Sequence, residues 1–147
     1  MIVVLPVVVV MALVWLVVVA LVWSVLVISL LTIVWTTWWP RGRYALVVYS
    51  NSPIWQQYFE ERMLPAIGKR GVVLNWSERK RWKLSLSVAL FRTFAGGREF
   101  NPLVIVFEPL KRPRRFQFLR PFRAFTQGRP EQVEEMRAEL LRLLDRW

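Results

Sequence analysis

Residues 1–39 read MIVVLPVVVVMALVWLVVVALVWSVLVISLLTIVWTTWW, and this stretch decides how the rest of the chain is organised. It contains no Asp, Glu, Lys, Arg or His. A helix of about 20 apolar residues crosses the ~30 Å hydrocarbon core of a bilayer, and this run is nearly twice as long. It therefore predicts one long transmembrane helix over residues 1–39, a linker at 40–43 and a separate domain at 44–147.

Two other interpretations of the apolar stretch are weaker. A hairpin of two short spans needs a turn, but residues 7–37 contain no Gly, Pro, Asn or Asp to form one. A cleaved signal peptide needs a charged start and a small-residue cleavage site, and neither is present. The single helix is the favoured prediction, with the hairpin as its alternative.

The C-terminal end of this stretch has the composition of a membrane interface. Trp35, Trp38 and Trp39 predict an aromatic belt, and Arg41 and Arg43 provide its basic flank. Under the positive-inside rule, these arginines place the C-terminal domain in the cytoplasm and the N-terminus outside. The expected location is the inner or cytoplasmic membrane, with a single pass.

The composition of the domain excludes several chemistries. All 21 basic and all 10 acidic residues lie after residue 40, so the domain carries the whole net charge of +11. The chain has no Cys and no His, which excludes thiolate nucleophiles, disulfides, Cys/His zinc sites and iron–sulfur ligation. The imidazole of histidine, the commonest general base near neutral pH, is therefore missing as well. We therefore expect no cofactor, no metal site and no enzymatic activity.

Apolar periodicity and turn residues predict an α/β domain with the element order β-α-β-α-β-β-α. The first β-α-β unit is expected to be parallel and right-handed. The predicted elements are a strand at 44–49, a helix capped by Ser52 and begun by Pro53, a strand at 72–74, a helix at 87–95, strands at 103–107 and 115–119, and a helix opened by Pro130.

This order, over roughly residues 44–147, resembles the thioredoxin/glutaredoxin-like fold. Residues 49–53 (YSNSP) lie at the strand-to-helix junction where that family holds its redox motif. Asn101-Pro102 precedes the strand at 103–107, where the family keeps a cis-proline. The junction has no cysteine, so the resemblance implies a redox-inactive relative.

The resemblance also implies a possible groove for an extended peptide. Its residues are Asn51, Ser52, Pro53 and Pro102. The alternative is that these residues serve only ordinary capping and turn roles.

Two basic regions are candidate binding surfaces. The stretch 109–129 combines cations with four phenylalanines, and a shorter cluster surrounds a tryptophan. The candidates are Lys111, Arg112, Arg114, Arg115, Arg120 and Arg123 in the first region, and Arg79, Lys80, Arg81, Trp82 and Lys83 in the second.

Both regions suit anionic lipid headgroups or an acidic protein partner. Single-stranded nucleic acid also suits arginine with aromatics, but tethering at a bilayer disfavours it. The plainer interpretation is that the phenylalanines are core residues and the cations a solvated face.

These observations predict a non-catalytic, membrane-anchored interaction protein, an accessory or assembly subunit of a membrane protein complex. The alternative is a membrane-surface module that binds anionic lipid or an acidic partner through the basic hairpin.

Overall fold

The computed structural model describes residues 4–147. Helix α1 spans Val4–Ile33 and continues without interruption through a π turn at Val34–Trp38 and a 3-10 turn at Trp39–Arg41. Gly42 ends it in the left-handed conformation at φ 69°. The 37 residues of Leu5–Arg41 form one helix, about 55 Å long at 1.5 Å per residue, that is long and apolar enough to cross a membrane. The single helix is confirmed, and the hairpin alternative is wrong.

Several hydroxyl groups of α1 and of the turn that continues it donate to carbonyls of the preceding helical turn. Ser24 donates to the carbonyl of Ala20 at 2.7 Å, and Thr37 donates to the carbonyl of Ile33 at 2.6 Å. Such back-bonding removes the need for an external partner and locally bends helices. The apolar surface of α1 is therefore not interrupted by free polar groups at these positions.

The domain is a small mixed α/β structure built on a four-stranded sheet. The strands are β1 (Ala45–Tyr49), β2 (Gly71–Asn75), β3 (Leu103–Val106) and β4 (Arg114–Gln117). Their order across the sheet is β2-β1-β3-β4. Strands β1 and β2 are parallel, as predicted, whereas β1–β3 and β3–β4 are antiparallel.

Four helical elements complete the domain. Helix α2 consists of Gln56–Tyr58, a π turn at Phe59–Met63 and Leu64–Ile67, and it is followed by a 3-10 turn at Gly68–Arg70. The others are α3 (Leu86–Phe94), α4 (Leu119–Phe125) and α5 (Glu131–Leu144), and a 3-10 turn at Trp76–Arg81 precedes α3.

The sheet separates two hydrophobic cores because successive strand residues point to opposite faces. On one face, Val47 and Tyr49 pack among residues of α2, α4 and α5. On the other, Leu46 and Val48 pack among residues of α3 and the end of α1. Strand β1 is buried on both faces, which explains its continuous apolar run.

The last turns of α1 belong to this second core. Leu30, Val34 and Trp38 are buried, with Val34 fully inaccessible. The ring of Trp38 lies edge-on to Phe107 at 6.1 Å between centroids. Residues 40–43, the predicted linker, hold the end of the 3-10 turn and Gly42. The C-terminal turns of this helix are therefore packed into the domain as part of its second core.

Helix α2 starts later than predicted, at Gln56 rather than Pro53. The Ser52 carbonyl still accepts the first helical hydrogen bond, from the Gln56 amide at 2.9 Å. Trp55, however, has φ −130°, outside the helical range, and its indole donates to Ser50 at 3.3 Å. Residues 53–55 therefore form turns before the helix begins.

Helix α4 is absent from the sequence-based prediction. The alternation of Phe116 and Phe118 predicted a strand to residue 119, but β4 ends at Gln117. Phe122 is buried, and its ring lies 5.3 Å from that of Tyr58 on α2. Burial of Phe122 against α2 requires the chain to turn back, which the short helix achieves.

Candidate functional site

The junction predicted to hold a peptide groove is formed by two loops that meet at Ser50. Its hydroxyl accepts a hydrogen bond from the Asn101 side-chain amide at 2.9 Å and a longer one from the Trp55 indole at 3.3 Å. The Asn101–Pro102 peptide bond is cis, and Pro102 is buried. The structure therefore brings the loop at 50–53 close to the start of β3.

Side chains around the same junction are already engaged. The Asn51 backbone amide donates to the Ser77 hydroxyl at 3.0 Å, and its side-chain oxygen accepts from Asn75 at 2.6 Å. Asn51 and Pro53 are exposed, and Ser52 is partly exposed. The loop has an accessible outer surface, while its inner polar groups stabilise the fold.

The cations near Trp82 lie on the 3-10 turn at Trp76–Arg81 and, for Lys83, just after it. All four, Arg79, Lys80, Arg81 and Lys83, are exposed. The tryptophans are structural: Trp82 lies 5.8 Å from Trp76, and the Arg79 guanidinium lies 4.8 Å above the Trp76 ring. The cluster is a solvated basic surface on an aromatic support.

The second basic region is divided by the sheet and does not form one surface. Three of its cations are ion-paired to acids elsewhere in the domain. The pairs are Lys111–Glu108 at 2.9 Å, Arg114–Glu139 at 2.6 Å and Arg120–Glu99 at 2.8 Å. Arg123 is exposed on α4, against the opposite sheet face from α1.

Alternation along β4 explains this division. Arg114 precedes Phe116 by two residues, so both face α5. Arg115 pairs in register with Ile105, whose side chain lies in the core that includes α1. Arg115 therefore lies on the side of the sheet that α1 covers.

A groove of about 690 Å³ lies between α1 and the turn that joins β3 to β4. Its walls are apolar along the helix and cationic along the turn. The helical wall comprises Trp23, Ser24, Val27, Ile28, Leu31 and Trp35, and the remaining lining residues are Thr93, Phe94, Leu110, Lys111, Arg112, Pro113 and Arg115. This groove combines the two surface chemistries that an amphiphile requires.

The cations at the groove differ in how they are neutralised. Lys111 pairs with Glu108, whose side chain is buried. Within residues 4–147, Arg112 and Arg115 have neither an ion pair nor a side-chain hydrogen bond. The Arg115 guanidinium lies over Gly96, where a Cβ atom would overlap it. Two uncompensated positive charges thus border the groove.

The residues predicted to form a membrane interface pack largely against protein. Trp38 is buried in the second core, and Trp35 lines the groove. The Trp39 indole donates to the carbonyl of Phe107 at 2.8 Å. Arg41 donates to the Thr37 carbonyl at 2.7 Å and is exposed, as is Arg43. Trp23, an exposed aromatic side chain nearer the N-terminus, lines the N-terminal end of the groove.

Two phenols in the first core have raised pKa values. Burial is the main cause for Tyr58, and a hydrogen bond to Glu134 at 2.8 Å adds to it. Burial also raises the pKa of Tyr49, followed by the negative charge of Glu60. Both side chains are therefore neutral hydrogen-bond donors at physiological pH.

The groove and the packed face of α1 were missed by the sequence analysis. Leu30, Val34 and Trp38 recur every four residues, which is the spacing of one helix face. Because α1 is apolar on all sides, this spacing does not stand out from its surroundings. No sequence signal connected residues 108–115 with residues 23–35, since their proximity is purely tertiary.

No family model matches this chain, and no curated protein or solved structure matches it.

Proposed function

We propose that this chain is a non-catalytic, membrane-anchored interaction protein, an accessory or assembly subunit of a membrane protein complex. Its anchor is α1, and its domain is a redox-inactive thioredoxin/glutaredoxin-like unit held directly at the membrane surface. The domain lies on the cytoplasmic side, as the arginines at positions 41 and 43 favour.

The observation that carries the proposal is the contrast between the two ends of α1. Its C-terminal turns are buried in the domain, whereas its N-terminal portion is an apolar surface without protein cover. Trp15 in that portion is 65% exposed. In lipid, large aromatic side chains of this kind offer rigid contact area to another transmembrane element.

Three features support the thioredoxin-like part of the proposal. Strands β1 and β2 are parallel, as expected for the predicted β-α-β unit, and the four strands follow the predicted order along the chain. The loop at 50–53 meets the residue before a cis-proline through the Ser50–Asn101 hydrogen bond. The third feature is the antiparallel β3–β4 pair followed by helix α5, although the unpredicted helix α4 lies between them.

The chemistry of that junction supports a binding role. Where the resembled family carries thiols, this chain has Ser50, Asn51, Ser52 and Pro53. The Ser50 hydroxyl accepts two hydrogen bonds from non-basic donors, so neither contact activates it as a nucleophile. Exposed Asn51 and Pro53 leave an outer surface for a partner segment.

The test is purification of the full chain from its native membrane in a mild detergent. We expect a partner at fixed stoichiometry and its loss in Trp15→Leu, which keeps the helix apolar but removes the aromatic contact. Val22→Leu, also exposed on α1, is the matched control and should retain the partner. A chain that migrates alone contradicts the subunit role, and recovery in the aqueous fraction without detergent contradicts the anchor.

A further inference from the structure

We propose that the groove between α1 and the β3–β4 turn binds one anionic phospholipid. The headgroup phosphate lies against Arg112 and Arg115, and the acyl chains follow the exposed surface of α1 toward its N-terminus. This inference rests on the proposed membrane anchoring of α1.

The position of the groove along the helix fits a headgroup. From Leu5 to Trp23, α1 rises about 27 Å at 1.5 Å per residue, close to the ~30 Å hydrocarbon thickness. Trp23 is also the lining residue nearest the N-terminus. The groove therefore opens at the level where the helix leaves the hydrocarbon, which is the level of lipid phosphates.

The tip of the β3–β4 turn supports the same placement. Leu110 is 88% exposed at this tip and adopts φ 56°, a backbone conformation that is uncommon for leucine. It lines the groove next to Lys111 and Arg112. An apolar tip followed by cations is suited to insertion among acyl chains with the charges at the headgroups.

Charge determines the class of lipid. Arg112 and Arg115 lack an ion-pair partner within residues 4–147, so a phosphate would provide their first counter-charge. A zwitterionic lipid offers a phosphate together with a cationic amine, whereas phosphatidylglycerol carries net negative charge. Arginine binds phosphate oxygens through two parallel N–H donors. The groove therefore favours an anionic headgroup.

The experiment is native mass spectrometry of the full chain in a neutral detergent. Phosphatidylglycerol and phosphatidylcholine with identical acyl chains are titrated separately. We expect one tightly held phosphatidylglycerol and clearly weaker phosphatidylcholine binding. Arg112→Gln combined with Arg115→Gln should weaken phosphatidylglycerol binding roughly 30-fold, as expected for the loss of two cations near an anionic surface.

Charge-matched and shape-matched controls isolate the site. Arg123→Gln combined with Arg142→Gln removes the same charge from exposed positions on α4 and α5 and should bind normally. Ser24→Trp fills the groove without changing charge and should lose the lipid. Ser29→Trp, at another exposed serine of α1 that lies outside the groove lining, should keep it.

Equal binding of the two lipids overturns the proposal. Equal weakening by the two arginine pairs, or equal effects of the two tryptophan substitutions, also overturns it. If the groove serves an acidic protein segment instead, the wild type shows no preference for phosphatidylglycerol. A chain that stays in the membrane but fails these tests refutes the lipid site alone, whereas extraction without detergent refutes the anchor.

Discussion

At the scale of single residues, the polar groups of the domain act mainly as structural partners. Ser50 is buried and links two loops, and Glu108 is buried beneath Lys111. Buried polar groups are costly unless they are paired. The sequence shows which polar side chains the domain contains. Only the folded contacts show which of them already have hydrogen-bond or ion-pair partners.

Ser50→Ala should destabilise the domain because it leaves the Asn101 amide and the Trp55 indole without their acceptor. We expect the free energy of unfolding to fall by about 1–2 kcal/mol, measured by denaturant titration of the full chain in detergent. Ser52→Ala is the matched control, since the Ser52 hydroxyl has only a 3.4 Å contact with the Ile54 amide. Equal losses for the two variants would contradict the structural role of Ser50.

Tyr58 makes stability sensitive to alkaline pH. Its pKa is raised above the ordinary value of 10.0, so above about pH 10 the folded state holds a proton that the unfolded chain has lost. The contribution of Tyr58 to the free energy of unfolding should therefore be constant below pH 10 and fall as the pH rises further.

Tyr58→Phe is expected to cost about 1–2 kcal/mol at pH 7, because the hydrogen bond to Glu134 is lost. Above pH 10, its stability should decline less steeply than that of the wild type, and Tyr49, whose pKa is also raised, contributes to the slope that remains. Chemical unfolding at pH 7, 9.5 and 11 measures both the loss of stability at pH 7 and its decline above pH 10. Parallel slopes would show that Tyr58 does not titrate with folding.

At the scale of elements, α1 has two different environments along one continuous helix. The sequence predicted the helix correctly because length and apolarity suffice for that purpose. It did not predict that the last turns pack on the sheet, since every face of the helix is apolar. Helix α4 was missed for a related reason: Phe116 and Phe118 alternate like a strand, but Phe122 packs against α2.

Trp38→Ala should destabilise the domain strongly, because the side chain is 6% exposed and packs against Phe107. Removing a buried aromatic side chain typically costs about 3–5 kcal/mol. Trp15→Ala is the control, since Trp15 lies on the uncovered part of the same helix and contributes nothing to the domain core. Thermal unfolding of both variants in detergent should separate them, and similar midpoints would contradict the packed position of Trp38.

At the scale of the whole molecule, the domain is joined to the anchor by packing as well as by the chain. Trp39 donates to the Phe107 carbonyl, and its ring lies 4.9 Å from that of Trp147. The bond to Phe107 fixes the start of the β3–β4 turn beside the end of the helix, and the contact with Trp147 adds a second attachment to the domain. If α1 spans a bilayer, the turn is therefore held near its surface.

This arrangement predicts that Leu110 contacts lipid in reconstituted vesicles. The natural chain has no cysteine, so Leu110→Cys can be labelled at a single position with an environment-sensitive fluorophore. We expect a blue shift and quenching by a lipid-phase quencher. Gln132→Cys, exposed on α5 across the sheet from α1, should show neither effect. Identical spectra at both positions would contradict the proposed placement of the turn.

The sequence by itself determined the apolar helix, the basic cysteine-free domain and the order of its strands along the chain. These features depend on local composition and periodicity, which hold regardless of what lies across the fold. Only the tertiary structure decided which face of α1 is packed, which cations are paired and where the groove lies. The physical reason is that Arg112 and Trp23 are far apart in sequence and become neighbours only through folding.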